Sequence, residues 1–397
     1  MEHPLTWAEV DLDAIAHNIS TLRRLTTPPT RFMAVVKANA YGHGAVAVAW
    51  QALAAGADWL GVARLEEGVQ LRQAGIRAPI LVFGYTPPEA AGVLLANDLT
   101  ATVYSFEIAR AYSRAASATD RTLRVHLKVD TGMGRLGLRP DFFSLSPTGK
   151  AVSGNPVFEA EAIAHLPGIE LEGVYTHFAA ADQADDRGHT LAQLERFTDF
   201  LDHLHFAGLQ IPIRHAANSA ALIRLPETHL DMVRCGIALY GLYPSADVNR
   251  DHVGLRPAMT LKTRVIQVKP VPAGFHVSYG MTYTTARPTV IATVAAGYAD
   301  GLSRRLSSAG QMLVGGERVP IAGRVCMDLT MLDLGPEAQA AVGDEAVVFG
   351  RQGGAQLTVD EVAEILGTIN YEVVTTVGAR VPRVHLNARA DGGASGS

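Results

Sequence analysis

Hydrophobic positions follow two rhythms along this chain. Up to about residue 240, short near-continuous apolar runs alternate with longer stretches rich in Ala, Leu, Glu and Arg. The runs at 31–36, 59–63, 78–83, 99–103, 123–129, 171–178, 211–215 and 230–235 predict buried strands, and the segments 44–55, 63–74, 88–96, 105–116 and 190–207 predict helices. Apolar strands with helical crossovers describe a parallel sheet covered on both faces. That strand number fits a closed (β/α)8 TIM barrel, with a doubly wound open sheet as the rival. Lys37, His177, His215 and Arg234 fall at or just past the ends of the first, sixth, seventh and eighth runs. Only a closed barrel readily brings its first and last strands to one mouth, so their placement favours the barrel. After about residue 255 the pattern shortens to strand-like pieces, LKTRVIQVKPV, TVIATVAAG, QMLVG, LTMLDL and EAVVFG, separated by glycine turns. They predict a mostly antiparallel, β-rich C-terminal domain with a short helix over 359–366. The expected organisation is a barrel over 1–250, whose first residues can pack on the second domain, a β-rich domain over 251–387, and a flexible tail over 388–397. The Pro-, Gly- and Ser-containing segment 140–157 predicts a loop or insertion.

Composition narrows the function classes. In 397 residues, 48% are hydrophobic and 18% charged, enough to fill a large core. The balance of 34 basic and 39 acidic residues, net −5, offers no concentrated basic surface for nucleic acid. No apolar run approaches the length of a membrane span, and the first residues lack the basic start and apolar stretch of a signal peptide. A cytoplasmic protein with no membrane partner is the expectation. Cys235 and Cys326 are far apart and predict buried, reduced thiols rather than a disulfide. No HExxH or cysteine-rich spacing predicts a metal site. No GxGxxG opens a predicted helix, and the GxxxxGK(S/T) phosphate loop and the GxSxG elbow are missing.

The chemistry-bearing positions cluster at the predicted strand ends. Lys37 follows the first strand and opens KANAYGHG, a polar turn containing a phenol. A partly desolvated amine there can form a Schiff base with a carbonyl compound, whereas a surface lysine would simply reach solvent. KVDTGMGRLG places Lys128 on a strand and Arg135 on a constrained turn suited to an anion. His177 is either a structural histidine or a ring against a heteroaromatic group. After His215, Asn218 and Ser219 can open a helix whose N–H groups cradle phosphate. Arg234 lies in an apolar strand, so it is paired or faces a site. Gly236 and Ile237 then offer backbone donors. In the second domain, VSYGMTY, GYADG and RVCMD set Tyr279, Tyr298, Met327 and Asp328 at turns. From the residues alone, Tyr279 reads as a hydrogen-bonded core or interface tyrosine ahead of an acid/base, since a free phenol titrates at about 10.

Together these segments, with INYEV, resemble the alanine racemase family of fold-type III pyridoxal-phosphate (PLP) enzymes, in the family's order and over almost the whole chain. The resemblance implies a Schiff base of PLP at Lys37, with Tyr41, Ser219, Gly236, Ile237 and Tyr371 at the phosphate. It sets His177 against the cofactor ring and Arg234 at the pyridine nitrogen, with His215 polarising Arg234. Arg135 takes the substrate carboxylate, held by Lys128, a lysine often carbamylated in the family. Met327, Tyr298 and Asp328 surround the substrate pocket and entrance. Lys37 and Tyr279 serve as the two bases of racemisation, in a homodimer whose active sites combine the barrel of one subunit with the second domain of the other. The implied reaction interconverts L- and D-alanine and supplies D-alanine for peptidoglycan. A racemase of wider amino-acid range, a PLP-dependent decarboxylase and a non-catalytic PLP-binding protein are the rivals.

Overall fold

The computed structural model describes residues 4–140, 155–183, 185–250 and 253–387. It resolves into two compact units: residues 15–40 with 45–256, and residues 1–14 with 41–44 and 257–397. The first strand in the chain, β1 (Thr6–Asp11), belongs to the latter unit. The predicted tail lies outside the described residues, as does most of the 140–157 segment.

Each apolar run of the first half becomes a strand of one sheet. In chain order these are β2 (Arg31–Val35), β3 (Trp59–Val62), β4 (Ile80–Val82), β5 (Thr100–Val103), β6 (Leu123–Lys128), β7 (Ile169–Tyr175), β8 (Ile213–His215) and β9 (Met232–Cys235). The spatial order is β8-β7-β6-β5-β4-β3-β2-β9, every pairing parallel. β9, the last strand, therefore lies beside β2, the first. The remaining seam, between β8 and β9, is bridged by hydrogen bonds from Asp231 N–H to the Arg214 carbonyl and from Arg234 N–H to the Ala217 carbonyl, both 3.0 Å. This is the expected barrel. Inward-facing Met33, Trp59, Leu81, Tyr175, Ile213 and Met232 fill it, with Phe83 packed against them. Each large apolar side chain buried this way stabilises the fold by about 1.5–3 kcal/mol over its exposed state.

Polar residues start several crossover helices. Ser105 accepts from Ile108 N–H at 3.4 Å ahead of Phe106–Ala118, and Asn218 accepts from Ala221 N–H at 3.0 Å ahead of Ser219–Arg224. Helix Pro156–Ala164 begins inside the segment expected to be a loop, because Asn155 caps it and Pro156 suits its first turn.

The second unit is built around the long strand β10 (Met259–Val271), whose first half alternates buried and half-buried positions. Around it lie β11 (His276–Val277), β12 (Tyr283–Thr284), β13 (Thr289–Val294), β14 (Gln311–Val314), β15 (Glu317–Pro320), β16 (Thr330–Asp333), β17 (Glu345–Gln352), β18 (Ala355–Leu357) and β19 (Arg383–Leu386). β10 pairs antiparallel with β1, β13 and β17, while β1 also pairs parallel with β19. The β-rich, mostly antiparallel expectation therefore holds. The stretch YEVVTTVG contributes a helix, Asn370–Thr375. Cys235 is buried and free; Cys326 is also free but only half-buried, with its Sγ 3.6 Å from Ser278 Oγ, so the expectation of two buried thiols is corrected for Cys326.

Candidate active site

Lys37 comes two residues after β2, where the backbone turns left-handed. Ala38, Asn39, Ala40 and Tyr41 all have φ between 51° and 54°. Such a conformation costs an L-residue about 1–2 kcal/mol. Side chains hold part of the run in place. The Glu67 carboxylate accepts from Ala38 N–H at 2.5 Å with one oxygen, and from Ala63 N–H at 2.7 Å and Arg64 N–H at 3.0 Å with the other. Asn39 Oδ1 accepts from Ala45 N–H at 2.8 Å. Strain secured in this way is a mark of functional loops. Burial, then the charge of Arg135, lower the pKa of the Lys37 amine, and Glu67 opposes them in part. The loss of charge makes the amine a better base and nucleophile.

Across the barrel, Lys128 at the end of β6 sets its ammonium 4.4 Å from the ring centre of Tyr175. Burial, then the charges of Arg234 and Arg135, push its pKa well below the ordinary lysine range. The following turn is organised by Asp130, one oxygen of which accepts from the N–H groups of Gly132, Met133 and Gly134 at 3.1, 2.9 and 3.0 Å. The turn closes on Gly137, whose φ is 142° and where a Cβ would lie 2.4 Å from Asp130 N, so only glycine fits without displacement. Thr131 is tied to Thr176, Gln193 and Arg196, which fixes the segment leading to exposed Arg135.

Arg234 is buried in β9. Its guanidinium donates at 2.8 Å to the carbonyls of Thr176 and Ala216, and meets His215 Nδ1 at 3.0 Å and His177 Nδ1 at 3.2 Å. Among the described residues it forms no carboxylate pair, so the alternative of an ordinary buried salt bridge does not apply. Tyr175 stacks on His215 with ring centres 4.7 Å apart and planes 9° apart. Burial, then Arg234, Lys128, Arg135 and Lys37, hold His177 well below the ordinary histidine range. The fields of the two arginines thus converge on one imidazole at the barrel mouth, an environment suited to an anionic ligand. Beside it, Ser219 Oγ accepts from Gly236 N–H at 2.8 Å and Ala238 N–H at 3.5 Å, bringing Ser219, Gly236 and Ile237 into one buried cluster with Asn218 at the adjoining helix cap.

In the other unit, the Tyr41 and Tyr371 rings lie 6.1 Å apart at a tilt of 50°. Tyr279 is 72% exposed on a short turn behind Ser278, whose φ is 66° and whose Oγ donates to the Arg324 carbonyl at 2.6 Å. Asp300 Oδ2 accepts from Gly297 N–H at 2.9 Å and so shapes the turn carrying Tyr298. Arg380 grips both Asp300 oxygens, at 2.7 and 3.0 Å, and Asp328 Oδ1 at 2.8 Å, which fixes Asp328 next to exposed Met327. Gly378 donates its N–H to the Asp300 carbonyl at 2.9 Å.

The barrel therefore gathers Lys37, Lys128, Arg135, His177, His215, Arg234, Ser219, Gly236 and Ile237. Tyr41, Tyr371, Tyr279, Tyr298, Met327 and Asp328 belong to the second unit. Sequence reasoning misses Tyr175, His126, Glu67 and Gln193. Two of these were findable: His126 precedes Lys128, and Tyr175 precedes His177, by the two-residue step that returns to the same face of a strand. Among the described residues, no cluster of three or more His, Cys, Asp or Glu side chains could hold a metal ion.

Comparison with known proteins supplies the remaining observations. Residues 10–244 match the family model of the alanine racemase N-terminal domain, and residues 258–385 that of the alanine racemase C-terminal domain. An alanine racemase of Desulfosudis oleivorans is 57% identical over 381 residues, 96% of each chain. A solved alanine racemase of Clostridium difficile superposes with a TM-score of 0.90 at 41% identity, covering 97% of this chain and 96% of that one. The Bacillus anthracis alanine racemase solved with bound L-Ala-P gives a TM-score of 0.88 at 41% identity, covering 97% and 95%.

Proposed function

The chain belongs to the alanine racemase family, and from that premise we propose how its own residues carry the reaction. It is a PLP-dependent enzyme that interconverts L- and D-alanine. The observation that carries the assignment of residues is the desolvated amine of Lys37 beside the barrel's cation-rich mouth. The donors there fit PLP: an amine for its aldehyde, hydroxyl and backbone N–H groups for its phosphate, and a guanidinium for its ring nitrogen. In this reading Lys37 holds the cofactor covalently. Tyr41, Ser219, Gly236, Ile237 and Tyr371 hold the phosphate, with Asn218 fixing the helix start. His177 packs on the ring.

When bound, PLP withdraws electrons from the alanine Cα and makes its proton removable. The chain's residues manage that proton. The lowered pKa of Lys37 lets its amine act as a base on one face of Cα, and Tyr279 serves the other. Each returns the proton that the other has removed, which inverts the centre. Arg135 orients the substrate carboxylate through a fixed anion contact. Lys128 lies between the fields of two arginines, so conversion to a carbamate would replace an unfavourable positive charge with a negative one able to hold Arg135. Arg234 can only donate, so it would leave the cofactor's pyridine nitrogen unprotonated and would limit diversion into transamination. Tyr298, Met327 and Asp328 border the route for alanine.

The exposure of Tyr279, Met281 and Met327, at 72%, 64% and 54%, supports a homodimer in which Tyr279 of the partner subunit completes each site. The reading includes a cytoplasmic role in supplying D-alanine for peptidoglycan; among the described residues no helix is long and apolar enough to cross a membrane. The test combines the absorbance spectrum of the purified protein with exchange of alanine's α-proton in deuterated water. A PLP band with exchange and racemisation is expected. In Tyr279→Phe the band remains and exchange slows more in one direction than in the other. Equal, small effects in both directions would reduce Tyr279 to a structural residue.

A further inference from the structure

Three segments of the β-rich unit meet at one guanidinium. Arg380 Nε donates to Asp300 Oδ1 at 2.7 Å, and Nη2 donates to Asp300 Oδ2 at 3.0 Å and to Asp328 Oδ1 at 2.8 Å. Asp300 closes the turn that carries Tyr298, because its Oδ2 also accepts from Gly297 N–H at 2.9 Å. Asp328 directly follows Met327. One side chain near the end of the chain therefore links the two turns that hold Tyr298 and Met327. The planar fork of an arginine suits this task, since it engages both oxygens of one carboxylate and still reaches a second; a lysine offers a single point of charge.

The same segments also touch through their backbones. Tyr298 N–H donates to the Cys326 carbonyl at 2.9 Å, Ala299 N–H to the Met327 carbonyl at 3.0 Å, and Gly378 N–H to the Asp300 carbonyl at 2.9 Å. At Gly297 a Cβ would run into the carbonyl oxygens of Cys326 and Met327, so glycine permits the approach of the two turns. None of these contacts uses the Arg380 side chain, so the segments stay together without it. What the guanidinium adds is the setting of the two carboxylates. The Asp300 side chain is only 8% exposed. A buried carboxylate that loses its charge-assisted donors turns toward water or takes up a proton. Either response loosens its hold on Gly297 N–H and on the turn of Tyr298. Asp328, 60% exposed, loses the contact that fixes it beside Met327.

We propose that Arg380 is a positioning residue for substrate selectivity: by joining Asp300 to Asp328 it fixes Tyr298 and Met327 relative to one another, and so sets how well the enzyme tells alanine from a larger amino acid such as serine. That Tyr298 and Met327 border the substrate's route rests on the reading above; the clamp on their turns does not. Arg380 touches no substrate and acts through the two carboxylates.

The experiment compares racemisation of alanine and of serine by the PLP-loaded enzyme. Its readout is the serine-to-alanine ratio of kcat/KM, which does not depend on how much of a preparation is folded and active. Arg380→Met keeps the length of the stem and removes the fork. It should raise KM for alanine about fivefold with kcat within about twofold, and raise the ratio about fivefold. Arg380→Lys should fall between Arg380→Met and wild type, and it carries the test by the same ratio if Arg380→Met yields no soluble enzyme. Asp300→Asn breaks the same link, so combining it with Arg380→Met should move the ratio no further than Arg380→Met alone. A ratio unchanged in the Arg380 variants, or shifts that simply add in the double variant, would overturn the proposal. Tyr298→Ala and Met327→Ala separate the two readings. If they move the ratio and the Arg380 variants do not, the clamp is refuted and the route stands. If neither moves it, the route itself is wrong and the proposal falls with it.

Discussion

Lys37 shows how much a residue's role depends on what its environment does to charge. An exposed lysine is cationic near neutrality and a poor base; burial and Arg135 shift this one toward the free amine. Lys37→Ala should therefore abolish the PLP band and reduce racemisation to background, while the variant's thermal unfolding stays close to wild type. Retained racemisation would remove Lys37 from the mechanism. Lys128 gives a second prediction at this scale. Its buried amine is held well below the ordinary range by burial, Arg234 and Arg135, which favours the neutral form that captures carbon dioxide. Native mass spectrometry should find a carbamate on Lys128 that disappears on acidification. If a carbamate on Lys128 holds Arg135, as proposed, Lys128→Ala should raise KM for alanine and lower kcat about tenfold. An unchanged KM would separate Lys128 from substrate binding. Both lysines are visible in the sequence because each ends a predicted strand. Their depressed pKa values are not, because the burial chiefly responsible, and the arginines that add to it, arise only once the other strands pack around them.

At the scale of elements, the barrel strands are legible because both faces of a parallel sheet are covered, which leaves near-continuous apolar runs. The left-handed turn over 38–41 is not legible. Ala, Asn, Ala and Tyr carry no glycine signal, and the conformation depends on Glu67, which arrives from another element. The same dependence hides His126, which sits in an apolar run and gains a partner only when β6, β7 and β8 meet. It also has a pH consequence. Burial lowers the pKa of His126, His177 and His215 from 6.5, so the unfolded chain binds protons that the fold refuses. Stability should be fully present above about pH 6.5 and fall as pH drops below it, by up to about 1.4 kcal/mol per pH unit for each histidine. Urea unfolding followed between pH 7.5 and 5.5 checks this. A curve flat over that interval would mean that the buried rings are charged. The expected slope is positive with pH because the folded-state values lie below the unfolded one.

Across the whole molecule, the two proposed bases belong to different units of the chain, with Lys37 in the barrel and Tyr279 in the β-rich unit. The ring of Tyr279 is held outward by an anchored turn, with Met281 exposed beside it. A large exposed apolar group on a fixed turn suits an interface better than a loop tip. If each active site takes Lys37 from one subunit and Tyr279 from the other, two inactive variants can repair each other. In a mixed dimer of Lys37→Ala and Tyr279→Phe, one site carries both defects and the other carries neither. Random reassortment makes half of the dimers mixed, and half of their sites intact, so about a quarter of wild-type activity should return. The two variants are unfolded or dissociated together, allowed to reassociate with PLP, and assayed against each variant treated alone. Recovery that depends on mixing, and is lost when subunit exchange is prevented, places the bases on different chains. Mixing that restores nothing, despite mixed dimers seen by native mass spectrometry, would mean that one chain supplies both bases of a site.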